Sequence, residues 1–453
     1  MEIIIIGCGK VGYTLAEQLT QEDHDVTIID SSASRMQELA DDLDALQILG
    51  NGSSINTLTE AGIEHADILI AVTNSDEMNL LCCLIAKSLS NCYTVARVRN
   101  PMYNREISLI KKSLGISMII NPELAAATEI SRLLRFPSAI KIDPFAKGKV
   151  ELLKFRVMPE FRLDGISIAS LASRSRCDIL VSGIERGDSV YIPNGDFRLR
   201  DGDLVSILAT PQNAAGFFKS IGLKTNQVKS CIIVGGGDIS IYLARQLLDM
   251  KIRVVIIERS RKRCEQLAEI LPGAIIVHGD GTNKQLLLEE NLQNTESFVS
   301  LTNFDEENII ISLFARKNSR AKIITKINRL SFQDILEGMD LGSIIHPKYI
   351  TSDSILQYTR AAQNSIGSNV ETLYHILDNK AEALEFYIRE SSPVVGVPLK
   401  DLPLKDNLLL GCINRGGQVM IPRGSDCLQV DDTVVVVTTQ KHLRDIRDIL
   451  TEK

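Results

Sequence analysis

The chain has no apolar run approaching the ~18 residues that a membrane-spanning helix needs, so any contact with a membrane is expected at its surface and through a partner. It has no basic excess: 50 Lys and Arg stand against 57 Asp and Glu, a net charge of −7. Phosphate-backbone binding needs a basic face, so nucleic acid is excluded as a partner class. Nine cysteines contain no C-x-x-C pair, and Cys82 and Cys83 are adjacent, which points to a reducing cytosol rather than a disulfide framework. The isoleucine run after Glu2 ends at Gly7, too short and wrongly flanked for a signal peptide. The six histidines, at 24, 65, 278, 346, 375 and 442, are scattered singly. No Cys/His set has metal-ligand spacing, so no metal site and no catalytic residues are expected.

What the chain does have is itself twice. Shifted by 228 residues, Gly7, Gly9, Leu15, Ala16 and Leu19 fall on Gly235, Gly237, Leu243, Ala244 and Leu247, and "VTIID" falls on "VVIIE". One residue further on, "TNSDEMN" at 73 meets "TNFDEEN" at 302, and "GIERGDSVYIP" at 183 meets "CINRGGQVMIP" at 412. The repeat predicts two similar globular halves. Within each half, short apolar runs alternate with helical stretches, the pattern of right-handed βαβ units on a parallel sheet. "PELAAATEISRLLR" reads as a connecting helix, and "FPSAIKIDPFAKG" breaks the pattern with two prolines. Short β-rich runs follow, from "VELLKFRV" to "DLVSILA", and the second half is expected to close on a helix, "KHLRDIRDIL". The expected fold is α/β: Rossmann-like domains at 1–138 and 226–362, each followed by a small α+β lobe, at 139–222 and 363–453, with a linker from about 222.

The first loop, "IIIIGCGKVG", has the context that gives G-x-G-x-x-G meaning, a strand before it and a helix after it. Gly7 permits the tight turn, Gly9 lets the backbone approach a pyrophosphate, and Gly12 lets helix and strand pack closely. The phosphate then sits on the free N–H groups of a helix N-terminus. Asp30 ends the next strand, 18 residues after Gly12, where an acid bonds ribose hydroxyls. Ser31 and Ser32 follow it rather than arginine, so NAD(H) is favoured over NADP, and ATP or ADP fits the same features. Thr73 and Asn74 end a further strand at the ligand edge; Asn74 or Ser75 is also placed to cap the next helix. Arg97 is placed to reach a phosphate, and Arg99 is read as a solvated charge.

In this order, "GCGKVG", "TNSDEMN", "VARVRNP", "NPELAAA" and "GGGDIS" resemble the family of domains that regulate potassium conductance (RCK or KTN domains), in the tandem form that serves Trk potassium uptake systems. The resemblance covers essentially the whole chain. It implies a non-enzymatic, cytoplasmic, nucleotide-binding subunit that forms a ring, expected to be a tetramer, on the inner face of the plasma membrane beneath a separate Trk-type channel. It implies nucleotide contacts at Gly7, Cys8, Gly9, Lys10, Val11, Asp30, Thr73, Asn74 and Arg97, and at Gly235, Gly236, Gly237, Asp238, Ile239, Glu258, Thr302 and Asn303. The second loop departs from the family at Ser240, where glycine is usual, and at Asp238, where asparagine is usual. The extra Cβ of Ser240 is expected to push helix from strand, and Asp238, in place of Lys10, to oppose a phosphate, leaving the first loop at least about tenfold tighter. Two other readings stay open on the residues alone: an NAD-dependent oxidoreductase with duplicated Rossmann domains, and a regulator of another cation transporter such as a cation–proton antiporter.

Overall fold

The computed structural model describes the chain except residues 40–42, 101–102, 104–105, 138, 146–148, 176, 188, 223–227, 329–338, 340, 365–369, 377–379, 390–391, 441–442, 444 and 452–453. The linker read from residue 222 lies largely outside the described residues.

The isoleucines of β1 (Glu2–Ile6) are buried on both faces, as a central parallel strand requires. Around it stand β2 (Asp25–Asp30), β3 (Leu46–Leu49), β4 (Ile68–Ala71), β5 (Tyr93–Arg97) and β6 (Met118–Ile120), all parallel, in the order β3-β2-β1-β4-β5-β6. Their helices are α1 (Lys10–Gln21), α2 (Ala33–Leu39), α3 (Ile55–Glu60), α4 (Asp76–Leu89), α5 (Ile107–Leu114) and α6 (Pro122–Arg135). The strand order reverses between β1 and β4, the crevice where such sheets bind ligands.

A second sheet, β7 to β11, follows: Lys141–Phe145, Val150–Arg156, Ile179–Arg186, Ser189–Tyr191 and Leu204–Ala209, in the order β10-β9-β11-β8-β7 and antiparallel. The stretch expected to break the pattern thus contains a strand. Pro144 is tolerated because β7 is an edge, where a missing N–H costs no ladder bond. Helices α7 (Ile168–Ser175) and α8 (Pro211–Ser220) complete this lobe.

The second repeat builds the same two sheets. Its parallel sheet holds β12 (Ser230–Val234), β13 (Arg253–Glu258), β14 (Ile275–His278), β15 (Ser297–Ser300), β16 (Lys322–Lys326) and β17 (Ser343–Ile345), ordered β14-β13-β12-β15-β16-β17. With it run α9 (Asp238–Asp249), α10 (Arg261–Ile270), α11 (Lys284–Glu289), α12 (Asp305–Asn318) and α13 (Pro347–Asn364). Strands β18 to β22 (Val370–Ile376, Ala381–Tyr387, Leu408–Arg415, Gln418–Met420, Thr433–Thr438) form its antiparallel lobe. The expected closing helix is only a 3-10 turn, Ile446–Ile449, capped by the Asp445 carboxylate. Residues 441, 442 and 444 of that stretch lie outside the described residues.

The repeats do not fold as two consecutive globular halves. One compact unit comprises residues 1–131 and 229–359, both parallel sheets; the other comprises 132–228 and 360–453, both lobes. In the first unit the C-terminal helix of one repeat lies on the glycine-loop helix of the other. Gln246 on α9 donates to Thr128 on α6 at 3.0 Å, and the Asn121 amide donates to the Tyr242 hydroxyl at 3.0 Å. In the second unit Phe145, Leu152 and Leu208 share one buried core with Ala383, Cys412 and Val435. Each lobe carries the same bidentate pair, Arg186 on buried Asp203 and Arg415 on buried Asp432.

Candidate functional site

The two glycine loops differ in sequence and coincide in shape. Gly7 sits at φ +99° and Gly235 at φ +102°, a region open to glycine. A Cβ on Gly7 would meet the Thr73 backbone at 2.9 Å, and one on Gly235 would meet the Leu301 carbonyl group at 2.9 Å. The Gly7 N–H donates to the Ile29 carbonyl at 2.8 Å and that of Gly235 to Ile257 at 2.9 Å.

Gly9 and Gly237 are different. Each is the N-cap of its helix, with φ −76° and −70° and an extended ψ that any residue adopts. A Cβ on either would meet nothing within 4 Å. Packing within the chain therefore gives no reason for glycine at these two positions. The space a side chain would fill lies at a helix N-terminus with unpaired N–H groups, which fits a phosphate. Cys8 and Val11 bury their side chains and face the loop only through backbone; burial, then Asp30, pushes the Cys8 thiol up to about 11. Lys10 is exposed and Ile239 half-buried at the matching helix starts.

The strand-end acids are tied into the loops. Asp30 is buried; its carboxylate accepts the Cys8 N–H at 2.7 Å and the Ser32 N–H at 2.8 Å, and Arg35 approaches at 3.4 Å. Glu258 accepts the Gly236 and Ser260 N–H groups, both at 2.7 Å. Asp30 Oδ1 and both Glu258 oxygens each accept one N–H here and keep a second lone pair for a ribose hydroxyl, and each acid also fixes its glycine loop to the neighbouring strand.

The two departures of the second loop each have a partner in the chain. The Cβ of Ser240 needs more room than the first loop leaves at Gly12, where one would stand 2.0 Å from the Gly7 carbonyl oxygen, but its buried hydroxyl donates to the Gly235 carbonyl at 2.5 Å and tethers helix to turn. The charge of Asp238 is met by Arg263, 3.0 Å away, whose Nε also donates to the Gly236 carbonyl at 2.7 Å. Arg263 aligns with Arg35 in the repeat, a match the sequence displayed without revealing its use.

Thr73 and Asn74 lie beside Gly7. Asn79 holds this edge: fully buried, it accepts from the Thr73 N–H at 2.8 Å and hydroxyl at 2.7 Å, and donates to the carbonyls of Thr73 at 3.2 Å and Arg97 at 2.8 Å. Asn308 repeats these bonds with Thr302 and Lys326, and Asn303, like Asn74, is exposed. Sequence reading missed both asparagines, although they end the repeated "TNSDEMN" and "TNFDEEN". Ser75, not Asn74, caps α4, accepting from the Met78 N–H at 3.1 Å. Asp76 is buried and accepts the N–H groups of Arg99 and Asn100, which accounts for this carboxylate without a cation.

Arg97 is buried and donates to the Thr73 carbonyl, while its Nε has no protein acceptor. Burial, then Arg99, pulls its pKa below the usual arginine value, and Lys326, its counterpart, is lowered by burial. Arg99 is not the solvated charge expected: it is half-buried and donates to the Asn74 carbonyl at 3.1 Å. Among the described residues no group of three His, Cys, Asp or Glu could hold a metal ion, and no helix is long and apolar enough to cross a membrane.

The TrkA-N domain model matches residues 3–122 and 231–347, and the TrkA-C domain model matches 152–222 and 383–451. The Trk system potassium uptake protein TrkA homolog 1 of Methanosarcina mazei is 33% identical over 445 residues, 96% of this chain and 97% of that protein. The Trk system potassium uptake protein TrkA of Halomonas elongata is 33% identical over 452 residues, 99% of this chain and 98% of that protein. Among solved structures, the GsuK RCK domain superposes with a TM-score of 0.62 at 17% identity, covering 97% of this chain and 92% of that one. The GsuK channel bound to NAD gives 0.63 at 17% identity, covering 97% and 77%. At that identity these structures establish the fold. With both domain models matched twice and full-length relatives at one-third identity, the chain belongs to the TrkA family of Trk-system potassium uptake proteins.

Proposed function

We propose that the chain is the nucleotide-binding regulatory subunit of a potassium uptake system, acting without catalysis of its own on a separate Trk-type channel in the membrane. The observation that carries this reading is the pair Gly9 and Gly237, glycines that nothing in the chain's packing requires, each at a helix N-terminus beside a strand-end acid. An adenine nucleotide, NAD(H) or ATP or ADP, fills that space, with phosphate on the helix N-terminus and ribose at Asp30 or Glu258. Thr73, Asn74 and Arg97 line the first pocket, and Thr302 and Asn303 the second.

Assembly with further copies is supported by a repeated surface. Leu81 and Leu84 on α4 and their counterparts Ile310 and Leu313 on α12 are all exposed, between 37% and 64%. The same apolar face shown twice by one chain suits a ring at the inner face of the membrane. A bound nucleotide gates the channel by favouring one ring conformation; moving an equilibrium from 1:99 to 99:1 takes about 5.5 kcal/mol, which several sites share. The test is potassium flux through vesicles holding the channel and this subunit, with NADH, NAD, ATP and ADP varied. Flux that changes with nucleotide and loses that response in Gly9→Ala and Gly237→Ala supports the reading. Flux indifferent to nucleotide, or turnover of NADH by the subunit, overturns it.

A further inference from the structure

The strand ends that flank the glycine loops differ between the repeats at one matched pair of positions. After β2 the chain runs Asp30, Ser31, and after β4 it runs Thr73, Asn74, Ser75; after β13 it runs Glu258, Arg259, and after β15 it runs Thr302, Asn303, Phe304. Strands β13 and β15 stand on either side of β12, which carries the second glycine loop, so Arg259 and Phe304 lie on opposite banks of the crevice. They meet across it: the Arg259 guanidinium carbon is 5.4 Å from the centre of the Phe304 ring. In the first repeat both positions hold serine.

The helix does not account for the ring. Ser75 caps α4 through its hydroxyl, whereas Phe304 is the N-cap of α12 and has no side-chain oxygen to cap with. The second repeat thus forgoes a bond that serine makes at the same place. The core does not account for it either, since Phe304 is 46% exposed and Arg259 is exposed too. The backbone beneath the ring is nevertheless fixed: the Phe304 N–H donates to the Thr302 hydroxyl at 3.2 Å, and the Phe304 carbonyl accepts the Asn308 N–H at 3.1 Å. A held aromatic face and a planar cation oppose each other over the crevice, and both are within reach of a ligand there.

We propose that Phe304 and Arg259 clamp the base of the nucleotide at the second glycine loop, the ring on one face and the guanidinium on the other. This rests on the reading of that loop as a nucleotide site. A flat base between them needs about 7 Å, two contact distances of about 3.5 Å. The exposed Arg259 side chain swings outward to admit it and exchanges one π face for another. The second pocket therefore grips its ligand by the base as well as by phosphate and ribose, and the first, with Ser31 and Ser75, has no such clamp.

The experiment uses the full chain carrying Gly9→Val, whose side chain fills the open space over the first loop. ATP and inorganic triphosphate, which has no base, are titrated by calorimetry into this protein and into its Phe304→Ala and Phe304→Tyr derivatives, with melting curves confirming the fold. Phe304→Ala is expected to weaken ATP by about tenfold or more, the loss of one stacked face, and to leave triphosphate within about twofold. Phe304→Tyr should retain most of the ATP affinity. The fluorescence of ethenoadenosine triphosphate should be quenched on binding to the Gly9→Val protein and not to its Phe304→Ala derivative, a signature of stacking that a merely structural ring would not give. Unchanged ATP affinity in Phe304→Ala, or an equal loss for triphosphate, overturns the proposal. A Gly9→Val protein that binds neither ligand before Phe304 is touched overturns the nucleotide reading of the second loop itself.

Discussion

The hydroxyl of Ser240 donates to the carbonyl of Gly235 inside the second glycine turn, at the position where Gly12 lies against Gly7 in the first. The turn keeps its shape because one hydrogen bond replaces close packing. Ser240→Gly is therefore expected to cost about 1–2 kcal/mol of stability, from a lost buried hydrogen bond and a freer unfolded chain. It should not raise nucleotide affinity at the second loop. Arg263→Ala should lower that affinity, since it frees the charge of Asp238 beside the phosphate position. Denaturant unfolding and nucleotide titration of the full chain check both outcomes.

Gly9 and Gly12 separate binding from folding. Gly9→Ala places a methyl in open space at an ordinary backbone angle, so stability should stay within about 0.5 kcal/mol of the parent. Nucleotide affinity at the first loop should fall about tenfold or more, because the methyl occupies the phosphate position. A Cβ on Gly12 would stand 2.0 Å from the Gly7 carbonyl oxygen, a backbone atom, so Gly12→Ala should destabilise by about 1–3 kcal/mol. Equal affinities for the parent and Gly9→Ala would displace the phosphate from this loop.

Asn79→Ala leaves a buried N–H of Thr73 and a buried carbonyl of Arg97 without partners. It should cost about 2–4 kcal/mol, as breaking a buried hydrogen-bond network does. Asn308→Ala should do the same to the second sheet. The cost is read from urea midpoints at constant m-value.

Glu123 predicts a pH dependence. Its carboxyl is held above the ordinary glutamate value of 4.5, first by burial, with Arg99 and Arg97 opposing and Asp238 adding to the rise. A carboxyl raised in the folded state binds its proton more tightly there than in the unfolded chain. Its effect is therefore absent below the unfolded value and costs stability as pH rises through the folded value. Glu123→Gln should melt at the same temperature as the parent below about pH 4 and higher than it at pH 8. A melting temperature lower than the parent's at pH 8 would mean that the pairing with Arg97 and Arg99 outweighs burial.

The parallel sheets were legible because their strands are short apolar runs with helical spacing between them, and the repeat let each half check the other. Gly7 and Gly12 were legible because a tight strand-to-helix turn demands glycine at those intervals, and the site proposed at Gly9 and Asp30 rests on the same spacing. What could not be read was who partners whom. Asp30 clamps Cys8, and Arg263 answers Asp238, through side-chain directions that spacing does not encode. The strand at Pro144 was missed because proline excludes a central strand but not an edge. Arg99 was misjudged because only the fold brings the Asn74 carbonyl to it. The exchange of last helices between repeats was hidden for the same reason: periodicity gives each helix an apolar face without naming what covers it.

That exchange also sets an order of events in the life of the chain. Asn121 and Tyr242, which bond across the two repeats, are 121 residues apart in sequence. At ribosomal speeds of about 5–20 residues per second, the face of α6 waits roughly 6–24 s for α9 to be made. Through that interval the first sheet lacks the helix that covers Asn121, and Tyr93 on β5 waits longer still for Tyr358 of α13, whose ring centre lies 6.3 Å from its own. Loop closure over such spans is slow and costs entropy before it is rewarded, so late, cooperative completion of the sheet unit is expected. A nascent chain stopped between the repeats would carry an open face and depend on a chaperone to stay soluble.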